Sequence, residues 1–372
     1  MAAPTGIRAA VIPHRTCCGG NFSISAVGVG CWSMGSADGE YWGERKQEDT
    51  NAIVAAALTF GNVYLDTAEV YNAGRSEEAL GAALQAAHPE DAARAVVGSK
   101  ILPNNCHDVR GHLEATLARL RLPCVELYQV HWPLNEKTCC VAMKSKFHNQ
   151  DAAEAGVPDV GAVFAELAAL QGEGKIKHIG VSNFGVQQLT EALATGATIA
   201  TNQLVYNLGS RMIEHEVLPL CAKHGVGVIA YSPLMQGVLT DKGVAGASFD
   251  EFDVNRCRTR QFAGTRENSR HKGPGAEPEL RAAMDVLKAQ AAAVGQPAHV
   301  VAMQWILQKP GVVCVIPGAR TVQQLEANLG AALLPPLADE VMAALDAGSD
   351  ALKAKMGAFI DSYESDEGQR SF

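Results

Sequence analysis

The stretch Tyr64-Leu65-Asp66-Thr67-Ala68-Glu69-Val70-Tyr71 decides how the chain is read. Residues 62–65 suit a short buried strand, which closes on the carboxylate of Asp66, and a phenol follows five residues later. Gly74, Arg75 and a helical pattern over 76–86 come next. An acid at the carboxyl end of a parallel strand, with a phenol on the loop behind it, is where an α/β barrel puts its chemistry.

Working outward, apolar runs and amphipathic segments alternate along most of the chain. Strands are expected over residues 27–32, 62–66, 94–100, 125–131, 177–181, 199–203, 226–231 and 312–317. Helices are expected over 47–60, 76–86, 109–120, 160–173, 186–194, 210–224, 279–294, 297–308, 321–331 and 338–347. Eight strand–helix units in order predict an α/β fold, a (β/α)8 TIM barrel. The competing architecture is a doubly wound sheet, whose dinucleotide fingerprint is GxGxxG after the first strand. The nearest match, Gly28-Val29-Gly30-Cys31-Trp32-Ser33, lacks the third glycine. Two long segments interrupt the pattern, 133–158 and 233–278, and both fall on the carboxyl-terminal face as functional or mobile loops. No linker marks a second domain, so residues 1–372 read as one barrel domain with its core over 27–347 and an acidic tail over 348–372.

Composition narrows the function. The chain has 31 Lys and Arg against 40 Asp and Glu, a net charge of −9, and no basic face, which argues against nucleic acid as a partner. No apolar run reaches about 18 residues, the length a membrane span needs. Ten cysteines are scattered without a CxxC pair, as in a reduced cytoplasmic protein. The adjacent pairs Cys17-Cys18 and Cys139-Cys140 are read as ordinary thiols rather than redox switches. Residues before Asp38 carry no acid, which suits a plastid transit peptide, but a hairpin of 7–11 with 21–26 closing the barrel floor is the favoured reading. The groupings Cys106/His107/His112, Cys139/Cys140/His148 and His215/His224 lack the paired spacing of a zinc site, and no metal is expected.

In a barrel, strand ends converge on one mouth. Strands two, three and four end on Asp66, Lys100 and His131, with Tyr71 just beyond the second. A free phenol has a pKa near ~10 and is a poor acid at neutral pH. A neighbouring ammonium lowers that pKa, and an aspartate can hold the ammonium in place and keep it charged. A histidine can orient a carbonyl oxygen by hydrogen bonding. Together these groups aim a proton at an oxygen gaining negative charge, as carbonyl reduction requires. No side chain supplies hydride, so a nicotinamide is implied.

At these residues the chain resembles the aldo-keto reductase superfamily. The matching motifs are Gly28-Val29-Gly30-Cys31-Trp32, Leu65 to Tyr71, Gly98-Ser99-Lys100, Tyr128-Gln129-Val130-His131-Trp132-Pro133, Gly180-Val181-Ser182-Asn183-Phe184, Asn202-Gln203, Ala230-Tyr231-Ser232-Pro233-Leu234, Ile316-Pro317-Gly318-Ala319-Arg320 and Asn328-Leu329-Gly330-Ala331. The resemblance implies a catalytic tetrad of Asp66, Tyr71, Lys100 and His131, with NADPH as cofactor. It implies that Ser182, Asn183 and Gln203 hold the carboxamide and that Tyr231 stacks on the nicotinamide. Ser232, Leu234 and Gly237 would follow the pyrophosphate, and Gly318, Arg320, Gln324 and Asn328 the adenosine end. Arg320 suits a 2′-phosphate, because a guanidinium forms paired bonds to phosphate oxygens. Some branches carry a lysine where Gly318 stands and an arginine where Gln324 stands. The motifs are nearest to the plant, algal and bacterial branches.

The implied substrate is a small aldehyde or ketone, with Trp32 and Trp132 in its pocket and Tyr41, Trp42 and Tyr206 as further candidates for an aromatic mouth. The expected protein is a monomer. Two other functions keep the same tetrad: a redox-sensing NADP(H)-binding regulatory subunit with slow turnover, and NADP-linked oxidation of a sugar or polyol.

Overall fold

The computed structural model describes residues 10–143, 156–246, 249, 258–267, 269 and 271–361. The chain opens with an antiparallel hairpin, β1 (His14–Cys17) on β2 (Phe22–Ser25). Its first arm is not residues 7–11, of which 7–9 lie outside the described residues. The turn between the arms explains the displacement. Cys18, Gly19 and Gly20 have φ of 53°, 62° and 93° and reverse the chain so tightly that β2 pairs with the four residues just before them. Phe22 and Ile24 are fully buried and, with Cys17, pack on Tyr64, Leu127, Ile229 and Cys314 to form the barrel floor. Burial, and then the neighbouring Cys18, push the Cys17 thiol up to about 12, so it is inert rather than a reactive switch.

A (β/α)8 barrel follows. Its elements are β3 (Val29–Gly30), α1 (Gln47–Leu58), β4 (Tyr64–Asp66), α2 (Arg75–Ala86), the short α3 (Pro89–Ala92), β5 (Val96–Ile101), α4 (Val109–Leu120) and β6 (Val125–Val130). Then come α5 (Glu136–Met143), α6 (Val160–Gly172), β7 (Ile176–Ser182), α7 (Val186–Ala194), β8 (Ile199–Val205), α8 (Val217–Lys223), β9 (Gly227–Tyr231) and α9 (Asp241–Ala245). The last are α10 (Glu277–Val294), α11 (Ala298–Leu307), β10 (Val312–Ile316), α12 (Val322–Gly330) and α13 (Asp339–Met356). Strands β3 to β10 are parallel neighbours in chain order. The ring closes where Val27 bridges Val315, Gly28 N–H donates to Val315 O at 2.8 Å and Gly30 N–H to Pro317 O at 3.0 Å. Strands buried on both faces explain the unbroken apolar runs. Four helices, α4, α6, α9 and α12, start on side-chain caps: Asp108 accepts from Gly111 N, Asp159 from Ala162 N, Thr240 from Gly243 N and Thr321 from Gln324 N.

Several elements depart from expectation, among them the short helices α3 and α9, which were not expected. The helix expected over 210–224 shrinks to α8, because Pro219 cannot sit in a longer helix: its ring would meet the carbonyl of His215. The segment after His131 contains α5, whose start is signalled by Asn135 accepting from Thr138 N at 3.0 Å. The tail expected from 348 is helical to Met356, burying Ser349 and Leu352, while 362–372 lie outside the described residues. Among the described residues, no helix is long and apolar enough to cross a membrane.

Candidate active site

Register brings the candidate residues together. Asp66 lies opposite Gly98, Lys100 opposite Gln129, Val130 opposite Val181 and Ser182 opposite Gln203, so the carboxyl ends of β4 to β8 face one mouth. Lys100 Nζ is fully buried. It donates to Asp66 Oδ2 at 2.6 Å, to Thr67 O at 2.8 Å and to the Tyr71 hydroxyl at 3.1 Å. The Tyr71 ring meets the His131 ring edge-on at 5.6 Å. The four residues singled out from the sequence thus form one cluster.

The charges are ordered by burial and by one another. Burial alone would lower the Lys100 pKa, but Asp66 and then Tyr71 outweigh it, and the ammonium is held above its ordinary value. Burial, and then Lys100, push His131 well below its usual range, so the imidazole is neutral. Its Nδ1 is buried without a partner, while its carbonyl accepts from Asn183 Nδ2 at 3.0 Å. Tyr71 corrects the sequence reading. Desolvation of its hydroxyl raises the pKa, and the opposing pull of Lys100 only moderates that rise. The phenol therefore holds its proton firmly at neutral pH, and Lys100 makes it a better acid than burial alone would leave it.

Two supporting residues went unrecognised in the sequence. Tyr64 donates its hydroxyl to Asp66 Oδ1 at 3.0 Å. Residues i and i+2 of a strand share a face, so the motif itself carried that signal. The fit needs Gly98, since a Cβ there would sit 2.2 Å from the Tyr64 hydroxyl. Asn72 donates to Trp32 O and Met34 O, both at 2.7 Å, from a left-handed φ of 50°. Ala73 and Gly74 continue that conformation at 64° and 85°.

The residues expected to meet a cofactor lie around the same mouth. Asn183, at φ 62°, accepts from the Tyr231 hydroxyl at 2.9 Å and donates to Ser182 Oγ at 3.1 Å. Gln203, expected to hold a carboxamide, gives its Nε2 to Asp66 Oδ1 at 2.7 Å. Ser232 (φ 50°), half-buried Leu234 and Gly237 (φ 100°) follow β9. At the head of α12, Arg320 N–H donates to Gln324 Oε1 at 2.7 Å, and Asn328 Nδ2 to Gly318 O at 3.3 Å. The Arg320 guanidinium donates to Trp42 O, and Arg45 donates to Ala319 O at 2.7 Å and Arg320 O at 2.9 Å. A cleft of about 420 Å³ beside Arg320 is lined by Asp49, Ile53, Val322 and Glu326. Two carboxylates share that lining with the single guanidinium, so the cleft is mixed in charge, and Arg320 is its one group suited to a phosphate.

The aromatic mouth is partly as expected. Trp32 is 39% exposed and stacks on Tyr71 and on Tyr41, each at 5.5 Å, with Trp42 edge-on at 5.3 Å. Trp132 follows His131 and is half-buried. Tyr206 is no part of the mouth: it is fully buried, its hydroxyl donates to Glu214 at 2.7 Å and its ring lies against Trp305.

The model of the aldo/keto reductase family matches residues 26–350. An uncharacterized oxidoreductase of Mycobacterium bovis is 31% identical over 344 residues, 91% of this chain and 93% of its own length. Among solved structures, a thermostable aldo-keto reductase in complex with the inhibitor epalrestat superposes with a TM-score of 0.66 at 26% identity, covering 91% of this chain and all 100% of its own. An aldo-keto reductase from Klebsiella pneumoniae in complex with NADPH gives a TM-score of 0.62 at 25% identity, covering 90% and 95%.

Proposed function

The chain belongs to the aldo/keto reductase family, and on that premise we propose that it reduces an aldehyde or ketone to an alcohol using NADPH. One observation carries the reading: Lys100 Nζ is 2.6 Å from Asp66 and 3.1 Å from the Tyr71 hydroxyl, beside a neutral His131. Bound NADPH supplies hydride. Tyr71 delivers its proton to the substrate oxygen as negative charge grows there. Lys100 stabilises the phenolate left behind, and Asp66, braced by Tyr64 and Gln203, keeps Lys100 charged and in place. His131, being neutral, orients the carbonyl with a hydrogen bond and adds no charge that would compete with Lys100.

On this reading Ser182, Asn183, Gln203 and Tyr231 orient the nicotinamide end, Ser232, Leu234 and Gly237 follow the pyrophosphate, and Gly318, Arg320, Gln324 and Asn328 hold the adenosine and its 2′-phosphate. Trp32 and Trp132 line the substrate pocket. The relatives reported above that carry an organism name are bacterial, which fits the bacterial side of the branches that the motifs resemble. The test is steady-state NADPH oxidation with a panel of aldehydes and ketones. Turnover by the wild type that collapses in Tyr71→Phe supports the proposal; a wild-type rate equal to that of Tyr71→Phe leaves the regulatory-subunit reading in its place.

A further inference from the structure

The β4–β5 pairing does not stop at the strand ends. Thr67 N–H donates to Gly98 O at 2.9 Å, and Glu69 N–H donates to Lys100 O at 3.2 Å. The next rung of a parallel ladder would take Leu102 N–H to the main-chain carbonyl of Glu69. It goes instead to the Glu69 side chain, whose Oε1 accepts from Leu102 N and from Asn105 Nδ2, each at 2.8 Å. The second oxygen, Oε2, accepts from His112 Nδ1 on α4 at 2.8 Å. One buried carboxylate therefore joins the loop carrying Tyr71 to the segment that follows Lys100 and to the helix behind it.

That joint sits two residues before Tyr71, where the backbone is least able to hold itself. Asn72 and Ala73 are left-handed without being glycine, a conformation that Asn tolerates and Ala rarely adopts. Downstream, the run is tied by Asn72 to Trp32 O and Met34 O. Upstream, Thr67 is held by Ser76 Oγ at 2.9 Å and by Lys100 Nζ at 2.8 Å, and Glu69 is the side-chain tie nearest to Tyr71. We propose that Glu69 is a positioning residue that sets the Tyr71–Lys100 separation, with His112 as its partner, for the proton transfer described above. The inference rests on that reading. The charged groups facing His112 are Glu69, Asp108 at the head of α4 and Arg119 on α4; the titratable groups Glu77, Cys106 and Tyr128 face Glu69.

The test compares Glu69→Ala with Glu69→Gln. The amide oxygen of glutamine can keep the Leu102 and Asn105 bonds, while its NH₂ faces His112 Nδ1, which accepts only when the ring is neutral. Glu69→Ala should lower kcat at least about tenfold and leave KM for the carbonyl within about twofold. Glu69→Gln should stay within about threefold of wild type at about pH 8 and lose a further factor of about ten by pH ~5.5, as His112 protonates. The wild type should lack that acid limb, because a carboxylate accepts from either form of the ring. A kcat for Glu69→Ala within twofold of wild type, or a Glu69→Gln profile without the acid limb, overturns the inference. Should Glu69→Ala fail to fold, the Glu69→Gln profile decides alone. Should wild-type turnover prove independent of Tyr71, the functional reading falls, and a crystal structure of Glu69→Ala decides the positioning role. A Tyr71–Lys100 separation beyond about 3.5 Å supports it, and one unchanged from 3.1 Å overturns it.

Discussion

Replacing Lys100 by methionine is the sharpest perturbation of the cluster. The side chains of Lys100 and Asp66 are 0% and 3% exposed, so neither charge can turn to water. Methionine fills most of the volume and removes the ammonium. Asp66 then keeps the Tyr64 hydroxyl and the Gln203 amide on Oδ1 but loses the 2.6 Å donor on Oδ2, and Thr67 O loses its 2.8 Å donor. Breaking one side of a buried ion pair costs about 3–5 kcal/mol. With a urea m-value of about 3 kcal/mol/M, the unfolding midpoint should fall by roughly 1–1.7 M. The assay is urea unfolding followed by circular dichroism and by tryptophan fluorescence, whose coincidence checks two-state behaviour. Asp66→Asn/Lys100→Met removes both charges and should recover much of the loss, giving a coupling of about 2 kcal/mol in a double-mutant cycle. A midpoint unchanged in Lys100→Met, or a double variant that is merely additive, would falsify the claim that these charges sustain each other.

Other consequences follow from the same contacts. Tyr64→Phe should cost about 1–3 kcal/mol by leaving Asp66 one donor short, and Gly98→Ala a similar amount by displacing the Tyr64 ring; thermal melts of both variants check this. Arg320→Ala should weaken NADPH binding about 10–100-fold and leave NADH almost unchanged, measured by fluorescence titration; equal losses for both would remove the 2′-phosphate assignment. Glu214 supplies a pH signature away from the site. Burial alone would raise its carboxyl, but Arg211, Lys353 and Tyr206 hold it at about 2 against an ordinary 4.5. A depressed carboxyl stabilises the fold above its unfolded value, so about 3 kcal/mol is present in full above pH 4.5 and lost as pH falls towards 2. Urea midpoints of wild type should decline across that window more steeply than those of Glu214→Gln.

The barrel was legible because period and length agree with burial on both faces. All eight strands fall within a few residues of expectation, and their last residues mark the mouth. Asp66, Lys100 and His131 could be found because a strand end is a definite place. Tyr71 could be found because its loop is short. What escaped depends on long-range register or on local backbone geometry. No spacing relates Gln203 to Asp66, which are 137 residues apart in the chain and 2.7 Å apart in space. Asn72 tolerates the left-handed region and is held there by its amide bonds to Trp32 O and Met34 O, but Ala73 beside it has no such preference, and its φ is set by the surrounding fold. The direction of the Tyr71 shift also escaped, since a neighbouring ammonium is visible in a motif and the desolvation that outweighs it is not. Tyr206 misled for the same reason: an aromatic just past a strand end can point inward to Trp305 as readily as to the mouth.

On the proposed mechanism, hydride from a nicotinamide and a proton from Tyr71 meet on one carbonyl. The most direct measurement uses NADPH deuterated at the transferring C4 position, an aldehyde that the enzyme turns over, and mass spectrometry of the alcohol. Wild type should place one deuterium on the carbinol carbon, and Tyr71→Phe should give no product above the blank. Alcohol formed without deuterium, or labelled at the wild-type rate by Tyr71→Phe, would contradict this mechanism.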